Sequence, residues 1–501
     1  MYDQTDVIVI GGGTGGYSAA LRAAALGLRV ALVERDLVGG TCLHRGCIPS
    51  KAMLHAAELV DGIAEAGERW GVRASLDGVD YAALIATRDD IVRRNHLGVE
   101  GHLAHAGVTV VRGSATLTGP RSVAITPSGA MDPRATAGAG GALGAPDTPA
   151  SLTARRGLVL ATGSRPRTLP GLVPDGRRIL TSDEALFAAD LPASVVVLGG
   201  GAIGCEYASF YRSMGAEVTL VEAADRLVPL EDADVSRQLA RGFRRRGIGV
   251  LTGARLLEAV TEPESGPGGG AVRATVRTAR GETTELVAQR LLVAVGRAPV
   301  TDGLGLERIG LATDARGFVP PADWDRLETA VPGVHVVGDL LPPPSLGLAH
   351  ASFAEGLVVA EHLAGLAPRP VDYASVPRVT YSSPQTAAVG LTEEQARAAG
   401  HDVVTNSMPL TAVAKGMVHG QGGMVKVVAE RAGSAAGGVG RVLGVHLVGP
   451  HVSEMVAEGQ LVVGWEAEPG DVAQHVHAHP TLSEAVGEVF LSLAGRGLHQ
   501  V

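Results

Sequence analysis

Residues 39–51 read Gly-Gly-Thr-Cys-Leu-His-Arg-Gly-Cys-Ile-Pro-Ser-Lys and hold two of the three cysteines in the chain, Cys42 and Cys47. A thiol pair at this spacing can cycle between dithiol and disulfide, stay as two buried thiols, or supply half of a metal site. In a regular helix the two positions would lie about 7.5 Å apart along the axis, beyond the usual Cα range of a bridge. Bridging therefore needs a distorted turn, which Gly46 permits. Pro49 fits only if a regular helix starts nearby, and sulfurs at a helix N-terminus are more easily ionised. Lys51 follows Cys47 by about one helical turn. It is one of only three lysines, with Lys415 and Lys426. There it could stabilise a thiolate, or be no more than a surface lysine. No second ligand pair at zinc spacing is present, so no metal is expected. Cys205 reads as a small buried hydrophobe.

The elements that must position these groups repeat along the chain. Residues 6–10 read as a buried strand, followed by Gly11, Gly13 and Gly16 in G-x-G-x-x-G spacing, an alanine-rich helix over 17–26, and a strand over 29–33 ending at Glu34. The same order returns as a strand over 195–198, Gly199, Gly201 and Gly204, a helix over 205–214, and a strand over 218–221 ending at Glu222. One such fingerprint is weak evidence; two, each between strand and helix and each followed by an acidic residue, predict two dinucleotide sites. The first glycine permits the turn, the second lets backbone approach a pyrophosphate, and the third lets helix and strand pack closely. The helix N-terminus faces the phosphates. Glu34 and Glu222 are placed to accept from a ribose diol, and a carboxylate at Glu222 favours NAD over NADP. A short strand over 334–337 ends in Gly338-Asp339, which places Asp339 to bind a hydroxylated chain such as ribityl. Residues 347–350 open a helix that could face a flavin ring, although His350 alone would more often be structural.

The remaining composition narrows the class. Hydrophobic residues make up 46% and aromatics only 3%, so the core must be aliphatic. The formal charge of -9 gives no electrostatic footprint for nucleic acid or an anionic membrane. No signal peptide and no bilayer-spanning stretch is expected, which points to a cytoplasmic protein. Three segments, 129–150, 263–270 and 433–440, are low in complexity and read as extended loop tips. Strands over 376–389, 424–428 and 442–448 and a helix over 453–465 suggest a separate α+β domain with an antiparallel sheet.

On these residues the chain resembles the pyridine nucleotide–disulfide oxidoreductases of class I, and within them the branch that oxidises dihydrolipoamide. Residues 39–51 resemble the active-site motif, and the resemblance covers nearly the whole chain outside the three low-complexity segments. Ala-Thr-Gly-Ser at 161–164, Gly-Arg-Ala-Pro at 296–299 and Val-Val-Gly-Asp at 336–339 resemble further motifs, and residues 376–390 the start of the dimerisation domain. The resemblance implies an α/β, glutathione-reductase-like fold: two Rossmann-like dinucleotide-binding domains plus a C-terminal α+β dimerisation domain. The segments would be 1–170 (FAD-binding, first part), 171–293 (NAD-binding), 294–366 (completing the FAD site) and 367–501 (dimerisation).

It also implies the site. FAD would be held by Gly11, Gly13, Gly16, Glu34, Gly40, Thr41, Lys51, Ala115, Thr162, Gly163, Ser164, Asp339, Gly347, Leu348, Ala349 and His350. NAD would be held by Gly199, Gly201, Ile203, Gly204, Glu206, Glu222, Leu256 and Gly296. Cys42 would be the interchange thiol and Cys47 the charge-transfer thiol, with Glu206 paired to Lys51. In the C-terminal stretch His-Ala-His-Pro-Thr-Leu-Ser-Glu at 477–484, His479 would be the base, oriented by Glu484, before a cis proline bond. His477 would be non-catalytic. The implied reaction oxidises dihydrolipoamide with NAD+ in an obligate homodimer, acting on a lipoyl-bearing 2-oxo-acid dehydrogenase complex component or a small dithiol. An NAD(P)H-driven reductase of a glutathione- or mycothiol-type disulfide is the rival within the class, and a flavoprotein assembly component the rival outside it. His44-Arg45 departs from the more usual asparagine and apolar residue, and Arg45 would add a charge beside the sulfur pair.

Overall fold

A computed structural model describes residues 5–128, 149–262, 270–432 and 438–499. The three low-complexity segments fall largely outside these residues. The chain divides into two compact units: Met1–Ala52 with Ile85–Pro166 and Arg297–Tyr373, and Met53–Leu84 with Arg167–Gly296 and Ala374–Val501.

In the first unit, the run Val-Ile-Val-Ile at 7–10 is buried on both faces, as a central parallel strand requires. It lies in Thr5–Ile10, which pairs in parallel with Val30–Glu34 on one side and Ser151–Leu160 on the other. Thr109–Gly119 and Val334–Val336 extend the parallel sheet outward, and Ser122–Pro127 adds antiparallel pairing. The core is aliphatic, as the composition requires. Gly11, at φ +103°, turns the chain into the helix Thr14–Ala25. A Cβ on Gly16 would lie 1.9 Å from the Gly11 carbonyl oxygen, so this crossing admits only glycine. The helix begins three residues before the alanine-rich stretch suggests, because the glycine turn itself forms its first turn. Ala349–Leu363 packs on this helix, with the Arg22 guanidinium on Glu361 at 2.7–2.9 Å.

The second unit repeats the scheme. Its parallel sheet runs Gly249–Leu251, Glu217–Val221, Ser194–Leu198, Arg290–Val293, Ile179–Thr181. The second fingerprint opens the helix Ala202–Ser213, again three residues early. An antiparallel sheet of Arg378–Thr380, Gln385–Gly390, Val439–Gly449, Met424–Arg431 and Val403–Pro409 follows in the C-terminal part, covered by helices including Val452–Gly464 and Glu484–Leu493. The single strand expected over 376–389 is two, paired antiparallel. Of two long helices, Cys47–Trp70 starts where Pro49 requires, whereas Tyr81–His105 buries only Arg88 and Leu103 and has no apolar stripe to foresee.

One buried charge cluster ties the parallel-sheet half of this unit to its antiparallel sheet. Lys426 is 4% exposed. Its Nζ donates to Asp232 (3.0 and 3.2 Å), Asp234 (2.7 Å) and Glu393 (2.8 Å). Asp232 also caps the helix Ala233–Arg245. Burial pulls the ammonium down, but the carboxylates outweigh it and hold its pKa up at about 12. Burial likewise pushes Asp232 up, yet the surrounding charges and donors keep it below the usual carboxylate range; the Lys426 and Arg397 hydrogen bonds do the same for Glu393.

Lys426→Met leaves these carboxylates without their cation and should lower stability by about 3 kcal/mol at pH 7. Carboxyls with lowered folded pKa values stabilise the fold above their ordinary pKa and lose that contribution as pH falls through the lowered values. The gap between wild type and variant should therefore narrow below about pH 4. Denaturant unfolding from pH 7 to pH 3 measures it; a constant gap would mean that Lys426 acts through packing alone.

Candidate active site

The sulfur pair owes its geometry to a broken helix. Gly40–Arg45 is one short helix, Gly46 ends it, and Cys47–Trp70 starts at once with Cys47 in its first turn and Pro49 still inside the N-terminal turn. A Cβ at Gly46 would sit 3.0 Å from the Thr41 carbonyl oxygen. The two cysteines stand as thiols, and Cys42 is hydrogen-bonded to Cys47. That hydrogen bond, then burial, then the negative charge of a Cys47 thiolate push the Cys42 thiol up, while Lys51 pulls it down.

The short helix is seated on the first fingerprint. Gly39 N–H donates to the Gly12 carbonyl at 2.7 Å. A Cβ on Gly40 would come within 2.6 Å of the Gly13 Cα. At Gly13 itself, which caps the helix Thr14–Ala25 in extended conformation, a Cβ would meet no atom of the described residues within 4 Å. The space over the helix N-terminus is open, as a pyrophosphate needs. Glu34 is clasped from beneath: Oε2 accepts from Gly12 N–H at 2.6 Å and Oε1 from Asp36 N–H at 2.7 Å. The second site repeats this. Glu222 accepts from the N–H groups of Gly200 and Ala224, and a Cβ on Gly201 also meets nothing within 4 Å among the described residues. Each glutamate is thus an anchored acceptor and not a loose strand-end charge.

Three distant motifs of the first unit meet at Asp339. Ser164 Oγ donates to Asp339 and accepts from Arg297 Nε at 2.7 Å. Arg297 also donates to the Ser164 carbonyl at 2.8 Å and stands 3.9 Å from Asp339. Burial pushes the Asp339 carboxyl up against these two partners. Arg297 lies in the motif at 296–299, yet sequence reasoning did not single it out. A Cβ on Gly347 would lie 3.3 Å from Asp339, so the turn leading into Ala349–Leu363 closes on the same carboxylate. Leu348 caps that helix; Ala349 and the exposed His350 open it. Ala115 is buried on its strand, Gly163 has φ +69°, and Thr162 spends its hydroxyl on the Val300 carbonyl at 2.6 Å. On the second site, Ile203 is half-buried in the helix, Leu256 half-buried on Arg255–Thr261, and Gly296 has φ +105°. Glu206 is buried and accepts from Tyr381 N–H at 3.0 Å. Cys205 is fully buried, its Sγ on the Gly200 carbonyl.

In the C-terminal part, His479 Nδ1 lies 2.7 Å from Glu484 Oε1, and Thr481 N–H holds Oε2 at 2.8 Å. Burial pushes Glu484 up, but Thr481 and His479 outweigh it and keep the carboxylate ionised. The His479 ring is 72% exposed, and the His479–Pro480 bond is cis. His477 turns instead to Glu458 at 2.8 Å, which raises its pKa. The charge expected of Arg45 beside the sulfurs is taken up by Asp36, at 2.6 Å, and His44 Nε2 donates to the Val38 carbonyl at 2.9 Å, burial lowering the pKa of its imidazole. Among the described residues no cluster of three or more histidines, cysteines or carboxylates could hold a metal, and no helix is long and apolar enough to cross a membrane.

Residues 5–356 match the family model for pyridine nucleotide-disulphide oxidoreductases, and residues 376–490 match the dimerisation domain of the same family. The chain is 38% identical over its whole length to a dihydrolipoyl dehydrogenase of Bacillus subtilis, covering all of that protein. It is 39% identical over 99% of its length to dihydrolipoyl dehydrogenase 3 of Pseudomonas aeruginosa, again covering all of that relative. Among solved structures, LpdA from Mycobacterium tuberculosis superposes with a TM-score of 0.82 at 26% identity, covering 98% of this chain and 99% of that one.

Gly13 and Gly16 separate ligand from fold. Gly16→Ala should cost about 3 kcal/mol of stability, since backbone blocks the added carbon. Gly13→Ala should cost less than about 1 kcal/mol yet weaken dinucleotide binding about tenfold or more. Thermal unfolding beside FAD titration of the apoprotein tests both; equal FAD affinity in Gly13→Ala and wild type would remove this turn from the site.

Proposed function

The chain belongs to the pyridine nucleotide-disulphide oxidoreductase family, and from that premise we propose that it is a dihydrolipoyl dehydrogenase that oxidises dihydrolipoamide with NAD+ through a Cys42–Cys47 disulfide. The observation that carries this is the sulfur pair, hydrogen-bonded and seated on the first dinucleotide turn. The open helix N-terminus, the anchored Glu34 and the Asp339 cluster fit FAD. The open turn at Gly201 and the anchored Glu222 fit NAD, whose free 2′-hydroxyl a carboxylate accepts and whose phosphorylated form it repels. In this reading residues 1–170 and 294–366 carry the flavin, 171–293 the nicotinamide cofactor and 367–501 the contacts of a cytoplasmic homodimer, with His479 of one protomer serving the sulfur pair of its partner. The substrate is the lipoyl arm of a 2-oxo-acid dehydrogenase complex or a free small dithiol.

Ionised Glu484 only accepts, so it fixes the His479 proton on Nδ1 and leaves Nε2 as the base. Nε2 removes a proton from one substrate thiol. The thiolate attacks Cys42 Sγ, the Cys42–Cys47 bond breaks, and Cys47 departs as a thiolate. The second substrate sulfur then attacks the first, closing the cyclic disulfide. Cys42 is released and takes up the proton of that second thiol. Two electrons now reside on the protein, with the proton on Cys42. FAD, when bound, supplies the two-electron route from this pair to NAD+. Lys51 offers the positive charge that a thiolate beside it requires.

Turnover of dihydrolipoamide with NAD+ should exceed NADPH-driven reduction of glutathione- or mycothiol-type disulfides by orders of magnitude in one purified sample; the reverse ranking would overturn the assignment. His479→Gln should slow the dithiol half-reaction about 10²–10⁴-fold and leave NADH oxidation by artificial acceptors nearly unchanged. Equal losses in both assays would count against His479 as the base.

A further inference from the structure

Beneath the Asp339 turn lies a carboxylate that the reaction does not use. Glu355, on the helix Ala349–Leu363, is 0% exposed. Its Oε2 accepts from the Gly338 N–H at 2.6 Å. Its Oε1 accepts from Ser345 Oγ at 2.9 Å and from the Tyr373 hydroxyl at 3.1 Å. One side chain thereby holds three separate pieces of chain: the turn that presents Asp339, the loop that runs into Gly347, and the segment that leaves the unit. Gly338 itself has φ +72°, so the N–H that Glu355 grips belongs to the residue that sets the aim of Asp339.

We propose that Glu355 is a positioning residue for the flavin: ionised, it clamps the Gly338–Asp339 turn and the Ser345 loop in the flavin-holding arrangement, and on protonation it gives up part of that grip. This rests on the FAD reading of the site. A carboxylate accepts through both oxygens; a carboxylic acid must turn one of them into a donor, and its remaining bonds lose their charge assistance. The groups facing Glu355 are Asp339, Tyr373, Ser345 and the Gly338 N–H, and Arg297 stands 3.9 Å from Asp339. Burial pushes the Glu355 carboxyl up, the three donors oppose it, and the Asp339 charge adds to it, leaving its pKa at about 7. The group therefore changes state within the range where the protein can be handled.

The direction separates this role from a bulk effect on the fold. A carboxyl whose folded pKa is raised contributes stability below its ordinary pKa and loses it as pH rises through the folded value. If Glu355 acted only on global stability, low pH would favour flavin retention. The clamp requires the opposite: retention should improve as pH rises through about 7.

The test is flavin release from the holoprotein, read as the gain in FAD fluorescence on dilution between pH 5.5 and 8.5. Wild type should release FAD roughly tenfold faster below the step than above it, the size expected for one weakened charge-assisted hydrogen bond. Glu355→Gln, with the shape of the protonated acid, should release at the fast rate at every pH. Tyr373→Phe removes a donor to the ionised form and should move the step to higher pH, which a loss of packing would not do. A flat wild-type profile, faster release at high pH, or a step that survives in Glu355→Gln would each overturn the proposal. Wild-type protein unable to bind FAD at all would instead overturn the flavin reading beneath it.

Discussion

Two sulfur atoms five residues apart cannot meet while the chain between them stays helical. The site exists because the chain breaks at Gly46 and resumes as a new helix with Cys47 in its first turn. The break brings the thiols within hydrogen-bonding reach, places one of them at a helix N-terminus and sets Lys51 one turn further on. Gly40, pressed against Gly13, seats the whole segment on the first glycine turn. Moving any of these would change the distance that sulfur chemistry depends on.

Backbone amides hold the strand-end carboxylate at both glycine turns. Glu34 and Glu222 are each gripped by the N–H of the residue after the first fingerprint glycine and by another N–H two positions beyond the carboxylate. A carboxylate satisfied in this way is held at a fixed angle. The same solution at two places in one chain follows from the shared order of strand, glycine turn, helix and strand. The C-terminal histidine is handled by a related device, with Thr481 fixing the carboxylate that fixes the ring.

Much of this was legible in the sequence, because strand runs, glycine spacing and strand-end acids are local signals. The fingerprint helices were placed three residues late because alanine enrichment marks a helix interior, whereas Gly13 and Gly201 begin the turn. Tyr81–His105 escaped notice because its buried residues are only Arg88 and Leu103, which leaves no apolar stripe to detect. Arg297 and Glu355 were missed for another reason. Their partners are remote in sequence or lie in an irregular turn, and a single polar residue between alanines and glycines has no period. Only the closing of the sheet brings Ser164, Arg297 and Asp339 together.

Lys426 lies in its carboxylate cage, and Lys51 beside the sulfurs; all but three of the 43 basic side chains are arginine. A guanidinium keeps its charge at any pH the fold survives and is a poor nucleophile, whereas an exposed amine is readily acylated. Apart from the chain terminus, Lys415 is then the one amine outside a cage or a redox centre. Reagents that acylate amines would thus find almost no lysine on this protein to modify.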